Sequence, residues 1–359
     1  MIAEICFTAD WLDKKRKELK GVDPALLERA LHAFALLGHL AESELKFVFK
    51  GGTSLLLHVP VIRRLSIDID ILCSAPTAEL DRVLREVAKI PPFNRYEEDE
   101  RGSRGLPKRR HFKFFYTPLV VGNPAPYTFL DVVEEPHIPH EVIIKPITPE
   151  ILEIRREIPV TIPTVESLLA DKLTAFAPRT TGVPFTPANG NPPDTMQIVK
   201  QLFDVGELFN LAEDLPAMRR VYQRVFDLEN FYRGGGLTAK DSLDDTLDAS
   251  LILNLHRLKG VKNLPEALLL EDGVRKLTSH LVNHRFNLDT AKLAAAKAAL
   301  VTRLIADDGS GLSLEVFRTI PPPEELRQLK IEGKWERLNR LMSINPEAFW
   351  YWYQANKQG

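Results

Sequence analysis

The chain has 359 residues, which is enough for about two domains of ordinary size. Apolar residues make up 44% of it and charged residues 27%, which is typical of folded globular proteins and excludes a disordered or coiled-coil chain. The 47 lysines and arginines nearly balance 49 aspartates and glutamates. The resulting formal charge of -2 excludes a uniformly basic nucleic-acid coat, although a local basic patch remains compatible with it.

Cysteine content and hydropathy indicate the compartment. Cys6 and Cys73 are too few for a disulfide framework or a zinc site made of thiolates, so a reducing environment is expected. No apolar run approaches the roughly 18 to 20 residues that cross a bilayer. The first dozen residues include Glu4 and Asp10 and lack a leading basic residue, unlike a secretory signal. We therefore expect a cytoplasmic protein with no membrane partner.

Residues 1–160 show helical and strand patterns in alternation, which predicts a mixed α/β domain. Helices are expected between residues 10 and 45, where Asp23 and Pro24 form a helix start. The later elements are a strand at 47–49, a helix at 54–58, a strand at 65–72, a helix at 77–89, and strands near 111–116 and 127–134.

A charged segment interrupts this domain. Residues 97–100 are four consecutive acids, followed by six basic residues: Arg101, Arg104, Lys108, Arg109, Arg110 and Lys113. Such a run is typical of a solvated loop or hairpin tip. The alternative is a basic arm that contacts the phosphates of a nucleic acid.

From residue 164 onward the pattern is mainly helical, and residues 161–359 are predicted to form an α-helical domain. Thr164 and Asp194 are expected to cap two successive helices. The segment that joins these helices, residues 178–193, contains five prolines and two glycines and is unusually long for a helix connection. The aromatic run at 349–353 suits either a helix docked on the core or a surface that stacks RNA bases or contacts a protein partner.

Asp68 and Asp70 are the residues that point most directly to chemistry. Side chains two residues apart on a strand face the same way, with Cα atoms about 6.5 to 7 Å apart. Two carboxylates this close repel each other unless a cation lies between them, and their oxygens suit Mg2+, or Mn2+ in its place. A strand with one solvated polar face would show the same alternation, but aspartate is depleted in strands.

Two further features complete a site for phosphate chemistry. Asp131, in the strand at 127–134, is the candidate for a third acid that acts as general base or metal ligand, as in polymerase sites. The turn at Gly51, Gly52 and Thr53 lets backbone N–H groups approach a phosphate. The P-loop pattern GxxxxGK[ST] does not occur in the sequence.

The order of these motifs resembles a known family. The segment KGGTSL at 50–55, followed by Arg64-x-Ser66-x-Asp68-x-Asp70, resembles the first motif of the AbiEii/AbiGii toxins, a branch of the DNA polymerase β-like nucleotidyltransferase superfamily. LADKLTA at 169–175 is similar to the family's (E/D)KlxA helix, and KQLFDV at 200–205 is similar to its RDxxDl helix. The resemblance covers residues 47–211.

The resemblance implies an α/β nucleotidyltransferase domain with a mixed sheet, followed by a mainly helical domain. It also implies a Mg2+-dependent toxin that transfers nucleotides from an NTP to RNA, in relatives to the 3′ end of tRNA, and that has an antitoxin encoded nearby. By position, Asp68 and Asp70 would bind metal, Lys172 would contact the triphosphate, and Asp204 would complete the site. The other residues expected to bind the nucleotide are Lys50, Gly51, Gly52, Thr53, Ser54, Arg64 and Ser66.

The sequence departs from the family pattern at two places. Lys200 and Gln201 stand where the motif has arginine and its first aspartate, and Lys200 is one helical turn from Asp204, where the two also suit a simple surface ion pair. The loop at 178–193 is longer than usual. The acceptor is therefore left open: a protein side chain, including Ser66 itself, is an alternative to RNA, and a non-enzymatic module that binds RNA or the antitoxin is another.

Overall fold

The computed structural model describes residues 1–20, 22–99, 107–120, 126–262, 264–307 and 313–358. The chain forms two compact units. The first contains Met1–Thr164 and Ser279–His284, and the second contains Val165–Thr278 and Arg285–Gly359. Over the described part of the chain, no helix is both long and apolar enough to span a bilayer.

Among its described residues, the first unit contains seven strands and four α-helices. The strands are β1 (Phe47–Lys50), β2 (Asp68–Cys73), β3 (Phe93–Glu98), β4 (Lys108–Tyr116), β5 (Tyr127–Glu134), β6 (Val142–Pro146) and β7 (Pro159–Pro163). The helices are α1 (Ala9–Glu18), α2 (Pro24–Glu42), α3 (Gly51–Leu55) and α4 (Thr77–Val87). The first five strands form one sheet in the order β1-β2-β5-β4-β3, and β6 pairs with β7.

The five-stranded sheet is mixed. β2 and β5 run parallel, and every other neighbouring pair in it is antiparallel. One face packs against α2 and is apolar, because alternate residues such as Ile69, Ile71, Leu130 and Val132 are fully buried there. The residues between them point to the opposite face, which therefore carries the polar side chains.

The predicted strand at 65–72 begins later than expected. β2 starts at Asp68, and the residues before it pair with the returning segment 279–284: Leu65 N–H donates to the His280 carbonyl at 2.9 Å, and Arg64 forms an isolated bridge with Leu281. The predicted helix at 54–58 also starts earlier, at Gly51. Strands β3, β6 and β7 were not predicted.

The second unit is helical, which together with the mixed sheet confirms the predicted fold class. Its longer helices are α5 (Val165–Ala175), α6 (Thr195–Phe209), α7 (Leu215–Tyr232), α8 (Ala239–Leu255), α9 (Pro265–Leu277) and α10 (Leu288–Ala306). Shorter helices follow at α11 (Glu315–Arg318), α12 (Pro323–Leu326), a 3-10 helix (Gly333–Ser343) and α13 (Pro346–Lys357). Asp194 caps α6 as predicted, because its side chain accepts from the Gln197 N–H at 3.1 Å.

The sequence did not decide the role of two segments of this unit, the loop at 178–193 and the aromatic run at 349–353. The proline-rich loop folds back on its neighbours: the Arg179 N–H donates to Asp245 Oδ2 at 2.7 Å and Thr181 Oγ1 donates to the Thr174 carbonyl at 2.8 Å. In α13, Phe349 and Trp352 are fully buried, and the Trp352 ring lies 5.1 Å from that of Trp335. The aromatic run thus belongs to the core of the second unit.

Candidate active site

A row of four polar residues crosses the sheet on its polar face. Lys50 of β1 is paired in register with Asp70 of β2, Asp70 with Asp131 of β5, and Asp131 with His111 of β4. Paired residues on neighbouring strands have side chains on the same face, about 4.5 to 5.5 Å apart at Cβ. All four are half-buried. The two acids therefore stand side by side, with a lysine at one end of the row and an imidazole at the other.

Gly51 provides the space for the Asp70 carboxylate. Its φ is +79°, a left-handed conformation that side chains disfavour, and a Cβ at this position would collide with the Asp70 carboxyl group. The carboxylate consequently lies directly over the Gly51 backbone. This close approach explains why a glycine is needed at the first position of the turn.

Thr53 and Ser54 hold the turn rather than exposing their hydroxyls. Both side chains are fully buried. Thr53 Oγ1 donates to the Asp68 carbonyl at 2.6 Å, which ties α3 to the start of β2, and Ser54 Oγ donates to the Gly51 carbonyl at 2.9 Å. These two hydroxyls fix the position of the glycines relative to the acidic strand.

Arg64 and Ser66 support the same turn from behind. Arg64 is only 2% exposed, and its Nη1 donates to the Leu65 carbonyl at 3.0 Å. A Cβ on Gly52 would lie 2.9 Å from Arg64 Nη2 and 3.1 Å from Ser66 Oγ, so both side chains pack against this glycine. Ser66 precedes β2 and is 4% exposed; the expectation that it lies on the strand beside the aspartates is wrong.

Asp68 shares the polar face with Asp70 and is paired in register with Phe129. Its Oδ1 lies 3.9 Å from Nη2 of Arg29, a residue of α2. The Arg29 guanidinium also lies 5.7 Å from the Tyr127 ring. Arg29 could not be associated with the acidic pair from the sequence, since it follows Glu28 in a mainly apolar helix and lies 39 positions before Asp68.

The acids fit a magnesium site by type and by placement. Within the described residues, no three acidic, histidine or cysteine side chains are close enough to surround a metal ion on their own. Mg2+ does not need such a cage, because it usually keeps several waters and binds one or two carboxylates together with substrate phosphates. Asp70 and Asp131 are paired in register on neighbouring strands and both are half-buried, so their carboxylates are placed to bind one such ion together.

His111 is a site residue that sequence reasoning missed. Its Nδ1 lies 2.6 Å from Asp131 Oδ1, and the two side chains are 23% and 33% exposed. The only sequence signal was a histidine among basic residues in a strand. Its alignment with Asp131 depends on strand register, which the sequence alone does not fix.

In the second unit, Lys172 and Asp204 form a buried ion pair. Lys172 Nζ lies 3.1 Å from Asp204 Oδ2, and the two side chains are 6% and 0% exposed. Lys172 Nζ also donates to Gln201 Oε1 at 3.0 Å. The idea of a surface pair between Lys200 and Asp204 is therefore wrong, because Asp204 is buried. Gln201, which departs from the family motif, supplies a neutral acceptor to the buried ammonium.

The charged segment is mostly strand where it is described. Arg101 and Arg104 lie outside the described residues, whereas Glu97 and Glu98 belong to β3 and Lys108 to Lys113 belong to β4. The ion pairs join Arg110 to Asp81 and Glu98, Lys108 to Glu134, and Lys113 to Asp99. The Arg110 guanidinium holds the pKa of Glu98 below its usual range. Residues 97–98 and 108–113 are thus a paired strand surface, and the loop interpretation is wrong for them.

Comparisons with known proteins place the chain in a family. The family model described as nucleotidyl transferase AbiEii toxin, type IV TA system, matches residues 35–299. A search of curated protein sequences finds no significant match. Among solved structures, MenT4, a nucleotidyltransferase toxin from Mycobacterium tuberculosis H37Rv, has 15% identity and a TM-score of 0.52, over 96% of this chain and 98% of that one. JHP933 from Helicobacter pylori has 17% identity and a TM-score of 0.42, over 78% and 94%.

The similarity to MenT4 shows a shared fold, which agrees with the mixed sheet and the helical region. The family model covers well over half of the chain and includes the turn at 51–53, the acidic strand and the helices that carry Lys172 and Asp204. The resemblance seen in the sequence is thereby confirmed. The chain belongs to the AbiEii family of nucleotidyltransferase toxins of type IV toxin–antitoxin systems.

Proposed function

We propose that this protein is a Mg2+-dependent enzyme that transfers a nucleotide from an NTP to RNA, at the 3′ end of tRNA, and so blocks translation in the cytoplasm. The observation that carries the proposal is the pair of adjacent carboxylates, Asp70 and Asp131, beside the side-chain-free backbone of Gly51. Asp68 adds a third carboxylate on the same face. This arrangement suits a reaction in which negative phosphate oxygens must be brought close to acids.

The proposed reaction exchanges a phosphoanhydride bond of the NTP for a phosphodiester bond. The terminal hydroxyl oxygen of the RNA forms a bond to the α-phosphorus of the NTP, the bond between that phosphorus and the bridging oxygen breaks, and pyrophosphate leaves. Asp131 accepts the proton of the attacking hydroxyl. Asp68 and Asp70, with Asp131 as a further ligand, would hold Mg2+, which when bound would neutralise charge on the phosphate oxygens.

The turn that follows β1 receives the triphosphate in this proposal. Lys50 stands beside Asp70 at the end of the polar row, where its ammonium can neutralise phosphate charge. Gly51 is half-buried and presents its backbone to the nucleotide, whereas Gly52 is buried, and Thr53 and Ser54 fix the turn through their buried hydroxyls. Arg64 and Ser66 act by packing against Gly52.

The helical domain, residues 161–359, contributes Lys172 and Asp204 on the strength of the family resemblance. Lys172 would contact the triphosphate. Before the nucleotide binds, Asp204 and Gln201 hold the Lys172 ammonium in place. A type IV family member also implies an antitoxin encoded nearby as its partner.

Two alternatives have less support. Transfer to Ser66 within the same chain is disfavoured because that hydroxyl belongs to a residue that is only 4% exposed. A purely binding module has no need of adjacent carboxylates, which oppose nucleic-acid binding unless a cation neutralises them.

The test is incubation of the purified protein with each α-labelled NTP and total RNA, followed by separation of RNA from protein. We expect label in a band of tRNA size with the wild type and none with Asp68→Ala. Label that stays on protein would replace RNA by a protein acceptor. Undiminished RNA labelling by Asp68→Ala would overturn the proposed site.

A further inference from the structure

The contact between His111 and Asp131 is the shortest polar contact described for the row of four polar residues. The two residues are directly paired between β4 and β5, and Nδ1 of the imidazole lies 2.6 Å from Oδ1 of the carboxylate. We propose that His111 is a positioning residue, which fixes the Asp131 carboxylate for metal binding and proton transfer. This inference rests on the proposed function, in which Asp131 belongs to the reaction site.

The chemistry of the two groups sets the direction of the bond. An ionised carboxylate only accepts hydrogen bonds, so Nδ1 of His111 carries the proton and donates it to Asp131 Oδ1. A bond of this length to a charged acceptor is strong and directional. It restrains rotation of the Asp131 side chain about both of its torsions.

Repulsion between the carboxylates of Asp70 and Asp131 explains why a restraint by His111 is needed. Asp70 and Asp131 are neighbours in register on parallel strands about 4.8 Å apart. Without a metal ion, each carboxylate gains by turning away from the other. A hydrogen-bond donor on the far side of Asp131 neutralises part of its negative charge, which offsets part of that repulsion, and it holds the carboxylate in one orientation on the polar face. His111 is that donor, since it follows Asp131 in the row.

The exposure of the pair argues against a role in folding alone. The side chains are 23% and 33% exposed, and contacts between partly solvated charged groups contribute little to stability. The same strand already has strong ion pairs for structural purposes, since Arg110 joins both Asp81 and Glu98. The His111 contact is directed instead at a residue of the acidic site.

The experiment compares two substitutions at the same position. His111→Asn keeps an N–H donor close to the place of Nδ1, whereas His111→Leu has a similar size and no donor. Mn2+ affinity is measured by electron paramagnetic resonance in the presence of a non-hydrolysable NTP analogue and without RNA. We expect His111→Leu to weaken Mn2+ binding about 10- to 100-fold, the usual effect of removing the partner of a metal ligand, and His111→Asn to restore most of it.

Arg109→Leu is the matched control, since Arg109 lies two residues away on the same face of β4 and is exposed. It removes a side chain of the strand without touching Asp131, so Mn2+ affinity should stay within about twofold of the wild type. Thermal unfolding of all variants should be unchanged within a few degrees.

The result separates this inference from the proposed acceptor. Equal Mn2+ affinity in the wild type and His111→Leu, or no recovery in His111→Asn, overturns the positioning role whether or not RNA is labelled. If RNA stays unlabelled while His111→Leu loses Mn2+ affinity and His111→Asn regains it, the acceptor is wrong and the positioning role stands.

Discussion

The buried pair of Lys172 and Asp204 allows a quantitative test that separates folding from catalysis. Its side chains are 6% and 0% exposed, and the only other polar contact described for the ammonium is Gln201. Removing one member of a buried ion pair leaves the other charge in a low-dielectric interior and costs about 3 to 5 kcal/mol, whereas replacing both charges together avoids that penalty. We therefore expect Lys172→Met and Asp204→Asn to lose about 3 to 5 kcal/mol each, and the double variant to lose much less than the sum of the two single losses.

Urea unfolding followed by tryptophan fluorescence measures this directly. Three of the four tryptophans, Trp335, Trp350 and Trp352, belong to the second unit, so the signal reports mainly on the unit that contains the pair. With a slope of about 2 kcal/mol per M, each single variant should unfold about 2 M earlier in urea. Single losses below about 1 kcal/mol, or a double variant as unstable as the sum of the singles, would refute the argument.

The double variant also decides the role of Lys172 in catalysis. It should be folded, so any loss of nucleotide transfer cannot be assigned to unfolding. The family resemblance implies that it is inactive, because it lacks the ammonium that would contact the triphosphate. Full activity in the folded double variant would restrict Lys172 to a structural role.

Three further predictions concern single residues. Gly51→Ala should lose about 100-fold in activity, because the new methyl group displaces the Asp70 carboxylate. Gly190→Ala is the control: Gly190 also has a positive φ, +74°, but no close neighbour, so this variant should lose about 1 kcal/mol of stability and no activity. Burial lowers the pKa of His32 from 6.5 to about 4, so the unfolded chain binds more protons than the folded chain between these two pH values. From pH 7 to pH 4, the free energy of unfolding should therefore fall by about 3 kcal/mol more in the wild type than in His32→Phe. Urea unfolding across this pH range measures the difference, and parallel curves for the two proteins would refute the prediction. Gly273→Ala should cost about 1 to 3 kcal/mol, because its Cβ would meet the backbone of Thr195, whereas Gly38→Ala makes only an ordinary 3.5 Å contact with Ile158 and should be neutral or stabilising in the same assay.

Local pattern was enough to predict the elements that carry the acids. Alternation placed Asp68 and Asp70 on one face of a strand, and the strand at 127–134 has the predicted bounds. Cap residues located the helix that begins after Asp194. These features depend on neighbours within a few residues, which is the range over which period and capping act.

The parts that were missed depend on contacts between distant segments. Asp131 was predicted as the third acid, but its register with Asp70 and the place of His111 are decided by strand order and pairing, which the sequence does not determine. β3 looked like a solvated loop because its acidic residues are matched by basic residues of β4. Lys172 had the pattern of an ordinary helix residue, and its burial follows from Asp204, which lies 32 positions further along the chain.

The most direct test of the central claim is the fate of each phosphate of the nucleotide. Parallel reactions contain RNA, Mg2+ and either α-labelled or γ-labelled NTP. Only the α label should enter RNA, and the γ label should be released as pyrophosphate, with one pyrophosphate molecule for each nucleotide added. Asp70→Asn and chelation of Mg2+ should each abolish both signals. Transfer of the γ label to any acceptor, or unchanged α labelling by Asp70→Asn, would contradict a nucleotidyltransferase built on this pair of acids.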